Sequence, residues 1–113
     1  MVAAYIPDAG DVIWLNFDPQ AGHEQAGHRP AIVLSPKAYN SRTGLCLVVP
    51  ITNQGKGYPF EQALPASCKT TGVALCDQVR SLDWKARQAT LKEAAGKEFA
   101  REVLARFLPL AAW

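Results

Sequence analysis

The apolar residues of this chain come in short bursts, and each burst is closed by a residue that bends or blocks the backbone. The longest, Leu45 to Ile51, gathers six apolar side chains around Pro50, far below the roughly 20 residues needed to cross a bilayer. Asp11 to Phe17 is β-branched and aromatic and stops at Asp18-Pro19, while Ala31 to Ser35 stops at Pro36. Val73 to Leu75 opens after Thr71-Gly72, and Cys76 to Arg80 continues extended. Short strands of this kind, punctuated by turn signals, pack as a small barrel or sandwich. In the first of them Ile13, Leu15 and Phe17 share one face, and Val12, Trp14 and Asn16 the other.

Pro50 marks the third strand as an edge, or as ending there, because proline cannot donate to a ladder. Lys37 to Thr43 reads as a polar connector or a single helical turn, leaving through Thr43-Gly44. After a polar loop from Thr52 to Gly57, Tyr58-Pro59-Phe60 re-enters extended structure. Only the end of the chain reads as a helix. From Lys97 to Leu108 the residues Phe99, Val103, Leu104, Phe107 and Leu108 fall on one stripe, preceded by Gly96 and closed by Pro109. The expected fold is therefore mainly β with a C-terminal helix, the helix covering an open end of the barrel.

A chain of 113 residues suits one domain spanning residues 1–113. Its 49% apolar content argues for a compact globule and against intrinsic disorder. Asp8 and Asp11 interrupt the N-terminus before a hydrophobic segment can form, so neither a signal peptide nor a membrane partner is expected, and the cytoplasm is the expected address. Cys46, Cys68 and Cys76 are odd in number and lack CxxC spacing, poor material for disulfides or zinc. Cys46 and Cys76 sit in apolar runs and read as small core residues. The net charge of +2 does not by itself indicate nucleic acid. The bases Lys85, Arg87, Lys92, Lys97, Arg101 and Arg106 read as a solvated helical face, and the loop bases Arg29, Arg42 and Lys56 are better placed for phosphates.

The chemistry concentrates in Gly22-His23-Glu24-Gln25-Ala26-Gly27-His28-Arg29-Pro30, a polar loop between the first two strands. It looks built to hold a phosphate or a carboxylate, with Pro30 biasing Arg29 towards an extended backbone. No P-loop, GxGxxG, HExxH or GxSxG pattern occurs, and His23, Glu24 and His28 lack the helical spacing of a zinc site. No metal or other cofactor is expected. Metal-free acid–base chemistry remains. Arg29 offers a fork of donors for a phosphodiester, Thr52 a hydroxyl at a strand mouth, His23 a proton carrier near neutrality, and Asp77 a carboxylate within an apolar strand. Blander roles fit the same residues: Arg29 paired with Glu24, Thr52 bonding a neighbouring backbone group, Asp77 capping a turn or meeting Arg80.

Gly10-Asp11-Val12-Ile13-Trp14, Asp18-Pro19, the Gly22–Pro30 loop, Val49-Pro50-Ile51-Thr52, Lys56-Gly57-Tyr58-Pro59-Phe60, Thr71-Gly72-Val73 and Asp77-Gln78-Val79 together resemble the MazF/PemK toxins of bacterial toxin–antitoxin modules. The likeness covers most of residues 3 to 90. It implies a homodimeric SH3-like barrel of the PemK/CcdB type. The implied activity is a sequence-specific, metal-independent endoribonuclease that cuts single-stranded messenger RNA to a 2′,3′-cyclic phosphate and a 5′-hydroxyl. A cognate MazE-like antitoxin would cover the RNA groove with an acidic, partly disordered tail.

Carried over by motif, Arg29 and Thr52 match the MazF-type catalytic pair, with Glu24 in support. The Kid/PemK branch points instead to His23 and Asp77 with an arginine two residues before the aspartate, and here that position is Leu75. Arg29 is therefore the expected phosphate clamp and acid-side donor, with Thr52 orienting the phosphate. Phe17, Gln54, Lys56, Tyr58 and Gln78 are the expected RNA contacts, the aromatic rings stacking on splayed bases; Phe17 and Tyr58 fit the barrel core equally well. Trp14 and Trp113 are available to a dimer interface. Two rival readings stay open: a CcdB-like toxin that binds a topoisomerase without catalysis, and an inactive binding module.

Overall fold

The structure, a computed structural model, describes residues 4–18 and 27–113. Strands β1 (Asp11–Asn16) and β2 (His28–Val33) are followed by helix α1 (Lys37–Thr43) and the long strand β3 (Leu45–Thr52). Then come β4 (Glu61–Ala63), β5 (Val73–Leu75), β6 (Arg80–Asp83), β7 (Thr90–Ala94) and helix α2 (Lys97–Ala111). Among the described residues the strands form one antiparallel sheet in the order β4-β5-β3-β2-β1-β7, with β6 also paired to β3.

Alternation along β1, β2 and β3 sorts the apolar side chains onto two faces. Ile13, Leu15, Phe17, Ala31, Val33, Cys46 and Val48 face inward and meet Leu82 and Trp84. Because β6 lies on β3 and β7 on β1, the short turn joining β6 to β7 draws the sheet's two flanks around that cluster, as in an SH3-like barrel. Val12, Ile32, Val49, Ile51, Ala74 and Cys76 face outward, where Phe99 and Val103 of α2 cover them. Helix α2 thus lies on the outer face of the sheet rather than over a barrel end. Its buried stripe is Phe99, Ala100 and Val103, and Leu104 and Leu108 stay exposed.

Several sequence expectations change in the tertiary setting. Pro50 stands in the middle of the sheet, not at an edge. It sits where β3 changes neighbours, because β6 reaches only to Val48 and β5 begins at Ile51, so no ladder donor is needed there. Lys37 to Thr43 is a seven-residue helix, ended by Gly44 at φ 74°. Its buried Asn40 donates to the carbonyls of Pro7 and Ser35 and accepts from the Ser35 hydroxyl, while its own carbonyl accepts from the Trp84 indole. The extended stretch expected through Arg80 is broken by a turn at Cys76-Asp77. Helix α2 continues past Pro109 to Ala111, which is tolerable because the carbonyl that loses its partner belongs to exposed Ala105 in the last turns. Cys46 and Cys76 are core residues as expected. No described helix is long and apolar enough to cross a membrane.

Candidate active site

The register of β2 against β3 pairs Ala31 with Pro50, Ile32 with Val49 and Val33 with Val48. The pairing ends at Ala31 and Pro50; extrapolated two residues further, the same register would bring Arg29 towards Thr52, which itself pairs with Val73 of β5. By alternation along their strands both residues fall on the side that carries Ala31 and Val48 deeper in the barrel. On its other side Arg29 lies opposite Leu15 of β1. Thr52 is nearly buried, and its Oγ1 accepts from the backbone N–H of Gln54 at 3.1 Å. The local bond anticipated for a strand-ending threonine is therefore present. It uses an oxygen lone pair and leaves the hydroxyl proton to be given elsewhere.

Thr52 opens into a groove of about 470 Å³, lined also by Gln54, Lys56, Tyr58, Glu61, Leu75, Asp77 and Gln78. Gathered there are Thr52, Asp77 and four of the expected RNA contacts. Arg29 does not line it, standing one strand away on β2. Asp77 lies on the turn after β5, not inside a strand, and its Oδ1 accepts from the Tyr58 hydroxyl at 2.9 Å. Partial burial and that bond push the Tyr58 phenol up to about 12, so it remains a proton donor at working pH. Tyr58 also meets Phe60 edge to face, with ring centroids 6.3 Å apart.

Phe17 requires a correction. Its ring has no exposed surface and belongs to the inner core, because it continues the inward face of Ile13 and Leu15. Base stacking on it is excluded in this structure. What Phe17 offers instead is backbone, since its carbonyl accepts from Arg80 at 3.3 Å and its N–H bonds the Gly27 carbonyl. Arg87 donates to the carbonyls of Asn16 and Asp18, so two arginines brace the base of the strand connection. His23 and Glu24 lie outside the described residues. Exposed His28 stacks on Trp14 with centroids 5.5 Å apart, and Lys92 lies over the same indole. Trp113 is fully exposed.

Two contributors to the groove escaped the sequence reading. Glu61 accepts from the backbone N–H groups of Lys56 at 2.8 Å and Gly57 at 2.9 Å, ordering a loop that has no ladder of its own. Arg106, expected on a solvated helical face, donates to Gln62 and to the Pro59 carbonyl. A carboxylate followed by no charge pattern carries no local signal for the first role. The second depends on a contact between distant segments.

Sheet, covering helix and polar groove define a small, mainly antiparallel β protein with a surface cleft at its strand ends. Residues 8–110 match the PemK-like, MazF-like toxins of type II toxin–antitoxin systems, and the chain belongs to that family. It is 58% identical over 98 residues to the endoribonuclease toxin MazF of Escherichia coli K12, an alignment covering 87% of each chain. The crystal structure of MazF from Deinococcus radiodurans superposes with a TM-score of 0.92 at 51% identity, covering 97% of this chain and 100% of that one. A MazE–MazF complex from the same organism superposes with a TM-score of 0.83 at 45% identity, covering 96% and 98%. The family placement makes this an endoribonuclease by close homology.

Proposed function

We propose that this chain is a sequence-specific, metal-independent endoribonuclease toxin, acting in the cytoplasm as a homodimer on single-stranded messenger RNA. The reading is supported by the β2–β3 register, which carried two residues past its last pair would bring Arg29 towards Thr52, and by the adjoining groove that gathers Thr52, Gln54, Lys56, Tyr58 and Gln78. In the proposed reaction the ribose 2′-oxygen loses its proton, attacks the adjacent phosphorus and displaces the 5′-oxygen. The products are a 2′,3′-cyclic phosphate and a 5′-hydroxyl. Arg29 holds the phosphorane and gives a proton to the departing 5′-oxygen; Thr52 donates a hydrogen bond from its hydroxyl to a non-bridging phosphate oxygen. The loop residues Glu24 and His23 are the candidates to take the 2′ proton. Asp77 serves by fixing Tyr58, the stacking platform, while Gln54, Lys56 and Gln78 read and neutralise the strand. A MazE-like antitoxin with an acidic tail would occupy the same groove, in keeping with the MazE–MazF complex of a similar protein.

The test uses purified protein, long single-stranded RNA and excess EDTA, with Arg29→Ala and Thr52→Val alongside. Wild type is expected to make discrete cuts ending in cyclic phosphate, and each variant to lose about 10²–10³ in rate, the usual cost of removing one such donor. Cutting that stops with EDTA, or that survives Arg29→Ala unchanged, would overturn the mechanism. Failure to cut any RNA would overturn the function.

A further inference from the structure

We infer that Arg106 on the C-terminal helix is a positioning residue for the groove, holding the wall that carries Lys56 and Tyr58. This rests on the reading of the groove as the RNA site. Residues 53–60 run without helix or strand, so their placement depends on individual bonds. Glu61 supplies two, through the amides of Lys56 and Gly57, and its own N–H bonds the Tyr58 carbonyl at 3.1 Å. Arg106 grips the chain on both sides of Glu61. Its Nε donates to Gln62 Oε1 at 2.6 Å, and a terminal nitrogen donates to the Pro59 carbonyl at 2.7 Å.

The grip is transmitted from a rigid base. Phe99 and Val103 fasten α2 to the outer core cluster, and Arg106 lies one helical turn beyond Val103, on the same side of the helix. Both of these partners are neutral oxygens. The side chain thus acts as a fork of two directed donors, a geometry that a lysine cannot copy. A loop ordered before RNA arrives does not lose that freedom on binding, so releasing it weakens binding without touching the groups at the strand end.

The experiment compares wild type with Arg106→Ala, Arg106→Lys and Lys56→Ala. It measures kcat and KM on single-stranded RNA, the salt dependence of binding to an uncleavable 2′-O-methyl RNA, and amide hydrogen exchange at Lys56 and Gly57. Arg106→Ala is expected to raise KM about 3- to 10-fold, the scale of one or two newly mobile side chains, with kcat held within about two-fold. Exchange at both amides should quicken, and Arg106→Lys should recover only part of the loss. The salt slope should not change, whereas Lys56→Ala should flatten it by about 0.7, one phosphate's worth for a single strand.

Unchanged exchange in Arg106→Ala would overturn the positioning role. A slope flattened by Arg106→Ala and fully restored by lysine would overturn it too, showing a direct phosphate contact. Faster exchange in Arg106→Ala, with RNA binding indifferent to both Arg106→Ala and Lys56→Ala, would leave the grip intact and sink the RNA reading of the groove.

Discussion

Gly72→Ala should damage this protein more than any other glycine-to-alanine change in the groove region, and the structure says by how much. Gly72 has φ 106°, where L side chains are strained, and a Cβ there would stand 2.3 Å from the Thr52 carbonyl oxygen and 2.9 Å from Asn53 Oδ1. The backbone conformation alone costs about 1–3 kcal/mol. The collision adds about 1–3 kcal/mol more, because Thr52 sits in a packed strand and must shift as backbone. Gly57 provides the internal control, since its φ is 80° but nothing lies within 4 Å of a Cβ placed there. Gly57→Ala should therefore show only the first cost. In urea or thermal unfolding the two variants should differ by the collision alone, with melting points separated by roughly 4 °C per kcal/mol at this chain size. Cleavage measured well below both melting points should fall further in Gly72→Ala, because the shifted carbonyl belongs to Thr52. Equal stability of the two variants would refute the reasoning, for it would mean that the β3 end yields freely and does not hold Thr52 in place.

Two further outcomes follow from titratable groups. Glu93 is held below the ordinary carboxylate range, first by the Thr70 hydroxyl and then by the backbone N–H of Lys69, against an opposing desolvation. Its contribution to stability is complete above about pH 4.5 and is lost as pH falls through the lower folded value; an acid-unfolding series should show Glu93→Gln with a shallower loss than wild type. Burial pushes the Cys46 thiol up to about 12 and the Cys76 thiol to about 11, whereas Cys68 is partly exposed. A thiol reagent should therefore label Cys68 in the native protein and reach the other two only after unfolding, and equal labelling of all three under native conditions would contradict this packing.

What could be read from the residues followed from how local each signal is. β1 and β2 announced themselves through apolar, β-branched runs and the Pro that follows each, and β5 through the Thr71-Gly72 that opens it. β6 and β7 did not, because β6 buries only Leu82 fully and β7 buries no residue fully; their strand character comes from the partners β3 and β1. At Asp77 the sequence left a turn and an extended strand both open, and packing chose the turn. Phe17 was ambiguous between core and surface until packing assigned it.

The candidate site divides along the same line. Thr52 and Arg29 could be singled out by residue type and family likeness. That they face the same way depends on the pairing of two strands, which local sequence does not state. The sequence by itself determined a mainly β protein with a C-terminal helix and a polar connection rich in phosphate-binding groups, and its motifs carried the resemblance to a toxin family. Only the tertiary structure decided that Glu61 shapes the loop, that Phe17 is core, and that Arg106 reaches Gln62 and Pro59 across 44 and 47 residues of chain. The physical reason is that hydrogen bonds and burial form between segments, so their partners exist only once the sheet has curled and α2 has docked.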